Sequence, residues 1–169
     1  TRSIAVTGVQ TCALPIWISA LAEKRMTKAQ ETLIDVGTAG LEAMKKALTL
    51  ADRILVPVPP SQADIWSTQR FIRLVEANTD KATKPEMLGF INRADTHHAV
   101  RESDEAAAAL VTLPGIKFIK QRLAQRTIYR RSFSEGLAVF ELEPRGKAAW
   151  ELSALCATLY PHVIKEVTP

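Results

Sequence analysis

Short apolar runs alternate with amphipathic stretches along most of this chain. Residues 32–37, TLIDVG, form a run rich in β-formers that ends at glycine. In LEAMKKALTLAD, which follows, Leu41, Met44 and Leu48 recur at i, i+3 and i+7 and so share one helix face. RILVPVPPS reads as a buried strand over 54–58, stopped by proline. QADIWSTQRFIRLVEAN places Ile65, Ile72 and Val75 on one helix face, with Ser61 or Asp64 near its start as a cap. MLGFIN, 87–92, is a strand; 103–112 is an alanine-rich helix; IKFIK is a strand ended by a QRLAQR turn. Residues 126–134 form a short helix broken at Gly136, LAVFEL a brief extended piece, and 147–160 a helix with Ala148, Leu152, Leu155 and Leu159 on one face. Repeated strand and helix alternation with continuously apolar strands predicts an α/β fold, a mostly parallel sheet with helices on both faces.

Composition bounds the picture. At 169 residues the chain fits a single domain, and its 47% hydrophobic and 24% charged content is that of a globular protein rather than a disordered one. No apolar run approaches the roughly 20 residues of a membrane span. The two cysteines, Cys12 and Cys156, are too few for a disulfide framework or a zinc site, and this usage fits a reducing cytoplasmic compartment. The net charge is a modest +4, but Lys117 to Arg131 holds six basic residues and no acidic one. If residues 122–131 are helical, Arg122, Arg126 and Arg130 fall at i, i+4 and i+8, one stripe with Lys120 and Arg131 nearby. Such a stripe neutralises nucleic-acid phosphates without reading sequence; it is equally a solvated helix face.

In open α/β sheets ligands bind beyond the carboxyl ends of the strands, so chemistry is sought there. Asp35 followed by Gly37 suits a water-mediated Mg²⁺ contact beside a phosphate, and Asp35 could equally cap the next element. Asn92 carries an amide that both donates and accepts, as a base edge requires, and asparagine is also a common turn residue. His97 and His98 are adjacent and diverge, which reads as loop polarity.

These pieces, taken in order, resemble a known family. ETLIDVGTAGLEAMKKALTLADRILVPVPPSQADIWSTQRFIRLVEA is similar to the middle of the ParA/MinD-type partition ATPases, where a strand ending Asp-x-Gly precedes a helix, an "aDrvLvPv.pS..D" segment and another helix. FINRAD resembles that family's next strand, ending in Asn-Arg, and QRTIYRRSFSEGLAVFE its "R..y..a...G..v.e" segment; the likeness covers residues 30–160. It implies a P-loop NTPase that binds ATP and Mg²⁺, forms a homodimer, binds nonspecific DNA and hydrolyses ATP when stimulated by a ParB-like partner. By position, Asp35 would be the catalytic acidic residue, reaching Mg²⁺ through water, and Gly37 would lie near the terminal phosphate. Asn92 would contact adenine with Arg93 beside it, and Lys120, Arg122, Arg126, Arg130 and Arg131 would meet DNA. Thr38 departs from the second glycine of many relatives. The resemblance implies plasmid or chromosome partition and a cytoplasmic, nucleoid-associated protein. MinD-like membrane attachment is not expected, because LCATLYPHVIKEVTP lacks a basic amphipathic helix. Two rivals are a dethiobiotin-synthetase-like enzyme of the same class, its basic stripe serving an acidic substrate, and a nucleotide-free scaffold for a protein partner.

The family's phosphate loop, Lys-Gly-Gly-x-x-Lys-Thr, occurs nowhere in the sequence. Instead VTGVQTCALPI, residues 6–16, is what a common sequencing-library adapter would encode. The expectation is therefore that residues 1–16 are foreign, that 17–169 form a partial nucleotide-binding domain lacking its native first strand and P-loop, and that the fragment is inactive as an ATPase. The first strand is central in this family's fold, so Ser3 to Val6 is expected to serve as its surrogate.

Overall fold

The computed structural model describes residues 32–36, 41–80, 84–97 and 101–161, and the backbone of 2–6. Five strands, β1 (Arg2–Val6), β2 (Thr32–Val36), β3 (Arg53–Val58), β4 (Glu86–Ala94) and β5 (Lys117–Ala124), form one sheet in the order β2-β1-β3-β4-β5. Every pairing is parallel. The surrogate expectation is met: β1 is central, with Ile4 opposite Ile34 on one side and Ile54 on the other.

One face of the sheet is covered by α1 (Leu41–Leu50), α2 (Gln62–Asn78) and α3 (Glu102–Thr112). Their apolar stripes, with Leu48, Ile65, Ile72, Val75 and Leu110, close over Ile54, Val58 and Ile91 from the strands. Alternate residues of the same strands, Leu88, Phe90 and Ile119, face the other way and meet Leu155 and Leu159 of α6 (Lys147–Leu159). This two-sided burial explains why β4 reads as an unbroken apolar run rather than an alternation. At its centre, a Cβ on Gly89 would stand 2.7 Å from the Ile116 Cδ1, so glycine lets β4 and the end of α3 approach.

Three sequence expectations are corrected. The QRLAQR stretch is not a turn, since β5 continues through Arg122 to Ala124, with Leu123 opposite Asn92. Helix α4 (Thr127–Glu135) begins later, and Arg126 is extended at φ −110°, ψ 140°, so Arg122, Arg126 and Arg130 do not share a helix face. LAVFEL is not extended: Val139–Leu142 is a short helix, α5, whose Glu141 carboxylate accepts the Ala138 N–H at 2.7 Å. Helix α4 ends as expected at Gly136, left-handed at φ 67°, where the Leu137 N–H returns to the Ser132 carbonyl.

Candidate functional site

Because the sheet is parallel, the carboxyl ends of its strands lie along one edge. At the end of β3, Pro59 and Pro60 force the chain out of the ladder, and the Ser61 N–H donates back to the Pro59 carbonyl at 2.9 Å. Ser61 then caps α2, its hydroxyl oxygen accepting the Asp64 N–H at 3.1 Å.

The end of β4 is irregular. Pairing with β5 steps from Phe90–Ile119 to Asn92–Leu123 to Ala94–Ala124, so Arg93 is an extra residue in the ladder. Arg93 sits in the left-handed region at φ 56°, the one non-glycine to do so among the described residues. Such conformations cost on the order of 1 kcal/mol and gather at binding sites. The Asn92 Oδ1 accepts the Arg93 N–H at 3.0 Å, which fixes which way the amide faces: its nitrogen and the second lone pair of its oxygen stay available. Beyond the bulge, Asp95 and Ser103 exchange two hydrogen bonds, the Asp95 N–H to the Ser103 hydroxyl at 3.0 Å and that hydroxyl to the Asp95 carboxylate at 3.1 Å.

The end of β5 is held by Glu151 of α6. Its carboxylate accepts Arg126 Nη2 at 2.6 Å and Nε at 3.1 Å, and also the Ala124 N–H at 3.2 Å. The pair is well covered, with side chains 25% and 15% exposed. Tyr129 reaches over it to donate to the Ala148 carbonyl at 3.1 Å. Burial, and then the negative charge of Glu151, push the Tyr129 phenol up to about 12. The Glu151 hydrogen bond raises Arg126 beyond its already high value.

Between the β4 bulge and the β5–α4 turn lies a cavity of about 560 Å³. Asn92, Arg93 and Arg130 supply its polar groups, and Leu123 and Tyr129 its apolar surface. A second cavity of about 560 Å³ shares Gln125, Arg126 and Thr127 with the first and extends to Lys147 at the start of α6. Asp35 is exposed at the end of β2, opposite Ala5 of β1. The register sets it level with Leu88, four residues short of Asn92 and three strand spacings away, so the two are roughly 20 Å apart. Gly37, Thr38 and His98 lie outside the described residues.

The basic run is scattered. Lys120 and Arg122 are exposed on β5, with Arg122 paired to Asp104 at 2.9 Å. Arg131 pairs with Glu135 at 2.8 Å, while Arg130 is exposed with no ion pair among the described residues. Arg126, bound to Glu151, is a structural clasp. Glu151 and Tyr129 were not singled out by sequence, since their roles depend on contacts across 25 and 19 residues that no local pattern reveals.

No protein-family model matches the chain. The structure superposes on Cyanthece apo McdA with a TM-score of 0.62 over 76% of this chain and 51% of that one, at 19% identity. It superposes on the cell division ATPase MinD of Pyrococcus furiosus with a TM-score of 0.60 over 85% of this chain and 60% of that one, also at 19% identity. In sequence it is 28% identical over 98 residues to the maintenance of carboxysome distribution protein A of Halothiobacillus neapolitanus. In fold, and over 98 residues in sequence, the chain is similar to ParA/MinD-type ATPases. The structural likeness is one of fold. The sequence match spans 58% of this chain but 44% of the relative, so the chain corresponds to about half the length of the ParA/MinD-type protein it matches.

One end of this edge is a candidate ligand site. The cavity beside Asn92 offers an amide for a base edge and the Leu123 and Tyr129 side chains for its faces. Among the described residues no three His, Cys, Asp or Glu side chains converge on a metal position. A cation at the β2 end would rest on Asp35 through water, with phosphates as its other ligands.

Proposed function

We propose that this chain is part of a ParA-like ATPase in which the Asn92 cavity takes the adenine of ATP and Asp35 approaches Mg²⁺ through water. The observation that carries the reading is the bulged end of β4, where Arg93 is held left-handed and Asn92 is oriented at the mouth of a nucleoside-sized cavity. The roughly 20 Å from Asn92 to Asp35 would be bridged by an extended nucleoside triphosphate together with its Mg²⁺ and a water, with Gly37 near the terminal phosphate. Mg²⁺ bound there would supply charge neutralisation along the phosphates, with Asp35 placed to hold a water toward it and Asn92 to fix the base. The intact parent would be a homodimer, stimulated by a ParB-like partner and serving plasmid or chromosome partition or the placement of another cargo. Lys120, Arg122, Arg130 and Arg131 would hold it nonspecifically on nucleoid DNA in the cytoplasm.

The sequence has no Lys-Gly-Gly-x-x-Lys-Thr loop to cradle phosphates. This chain should therefore bind base and ribose weakly and not hydrolyse ATP; the same absence favours the scaffold as the second reading. The test is an amide chemical-shift titration with AMP, beside a fluorescent ATP analogue with Mg²⁺. Shifts at Asn92, Arg93 and Thr127 that vanish in Asn92→Leu, without micromolar binding of the analogue, are expected. No shifts at those amides would leave the scaffold standing, and micromolar binding would show that another element replaces the phosphate loop.

A further inference from the structure

The outer surface of the middle helix of the three-helix face combines a large exposed apolar side chain with two exposed arginines. In α2, Ile65, Thr68, Ile72 and Val75 are buried. At about 100° per residue, Gln62, Trp66, Arg70, Arg73 and Ala77 fall in one stripe on the opposite side. Trp66 is 57% exposed, a large apolar surface for a residue that is ordinarily well covered. The Arg70 and Arg73 side chains are exposed and make no hydrogen bond or ion pair with any described residue. No acidic residue lies in the stripe, and Glu76 on its flank is taken by Lys84 at 2.9 Å.

We propose that this stripe docks an acidic helical segment of a partner protein, with Trp66 as apolar anchor and Arg70 and Arg73 as carboxylate forks. The chemistry is that of protein interfaces: tryptophan and arginine carry most of their binding energy, lysine is depleted, and this stripe holds two arginines and no lysine. The guanidiniums stem from positions one turn apart, about 4.5 Å along the axis, which matches carboxylates at i and i+3 or i+4 on a facing helix. Nucleic acid is the weaker match, because two cations release too few counterions to hold a phosphate backbone at physiological salt. The basic residues of β5 and α4 also belong to the sheet's far edge, whereas α2 lies between α1 and α3 over β3. The surface is independent of the nucleotide reading.

The test uses the full chain with Trp17→Phe and Trp150→Phe, leaving Trp66 as the sole tryptophan. It is titrated with a synthetic helical peptide bearing glutamates at i, i+3 and i+4 beside leucines, with the same peptide carrying glutamine for glutamate, and with oligothymidine. The acidic peptide should shift Trp66 emission to the blue and saturate, the glutamine peptide binding at least about tenfold more weakly. Arg70→Glu with Arg73→Glu should lose the acidic peptide by a similar factor, Arg70→Lys with Arg73→Lys falling between, all with unchanged thermal melting. Undiminished binding by the double glutamate variant, absence of saturable binding, or a Trp66 response to oligothymidine equal to that of the acidic peptide would each overturn the proposal.

Discussion

The Tyr129 phenol is where a single side chain reports on the site. Its folded value of about 12 lies above the ordinary 10, so the protonated form carries a stabilising contribution that is complete below pH 10 and lost as pH rises through about 12. Between those values the chain should lose stability in denaturant titrations, and Tyr129→Phe should flatten that loss. A profile identical in the variant would mean that other groups set alkaline stability. The opposite lesson comes from Cys156, whose thiol is pushed up by burial and is a packing residue. At this scale the sequence was informative where residue type and position coincide. Asn92 and Asp35 do stand at strand ends on one edge, because a strand's end can be read from its apolar run. The left-handed turn at Arg93 had no such signal, since arginine is not a residue that announces positive φ.

Elements were legible when their apolar period was long. The seventeen residues of α2 follow from spacing, and the structure chooses Ser61 over Asp64 as its cap. The β5–α4 region was not, because its outcome depends on partners elsewhere: the β4 ladder extends β5 through QRLA, and Glu151 of α6 draws Arg126 out of the helix. Arg126 and Glu151 therefore hold α4 to α6. Glu151→Ala leaves a half-buried guanidinium and the Ala124 N–H without their shared acceptor, and should cost about 2 kcal/mol in chemical denaturation. A loss below about 0.5 kcal/mol would show that the clasp is not stabilising. The same pair separates folding from the proposed DNA contact. Lys120→Glu with Arg130→Glu should weaken DNA retention while leaving the melting temperature unchanged; Arg126→Glu should lower the melting temperature. Unaltered DNA retention in the first variant would remove these residues from the DNA surface.

The whole molecule is organised around its first strand. Because β1 hydrogen-bonds to β2 and β3 at once, the amides of Ser3 to Val6 should exchange with solvent as slowly as those of β3. Fast exchange there would mean that the central position is not held in solution. The α/β class and both covered faces were legible from alternation, and the central place of the first strand from the family resemblance, since periodicity carries no information about which strand neighbours which.

That placement also sets how the molecule would fail. Strands β3, β4 and β5 are neighbours in both sequence and space, whereas β2 joins the described sheet only through β1. A protease that trimmed the first six residues would therefore do more than shorten the chain. It would cut β2 adrift and leave β3, with its apolar RILVPV run, as a naked edge. Such an edge is a template for intermolecular strand pairing, so a small loss at the amino terminus should turn a folded chain into an aggregation seed.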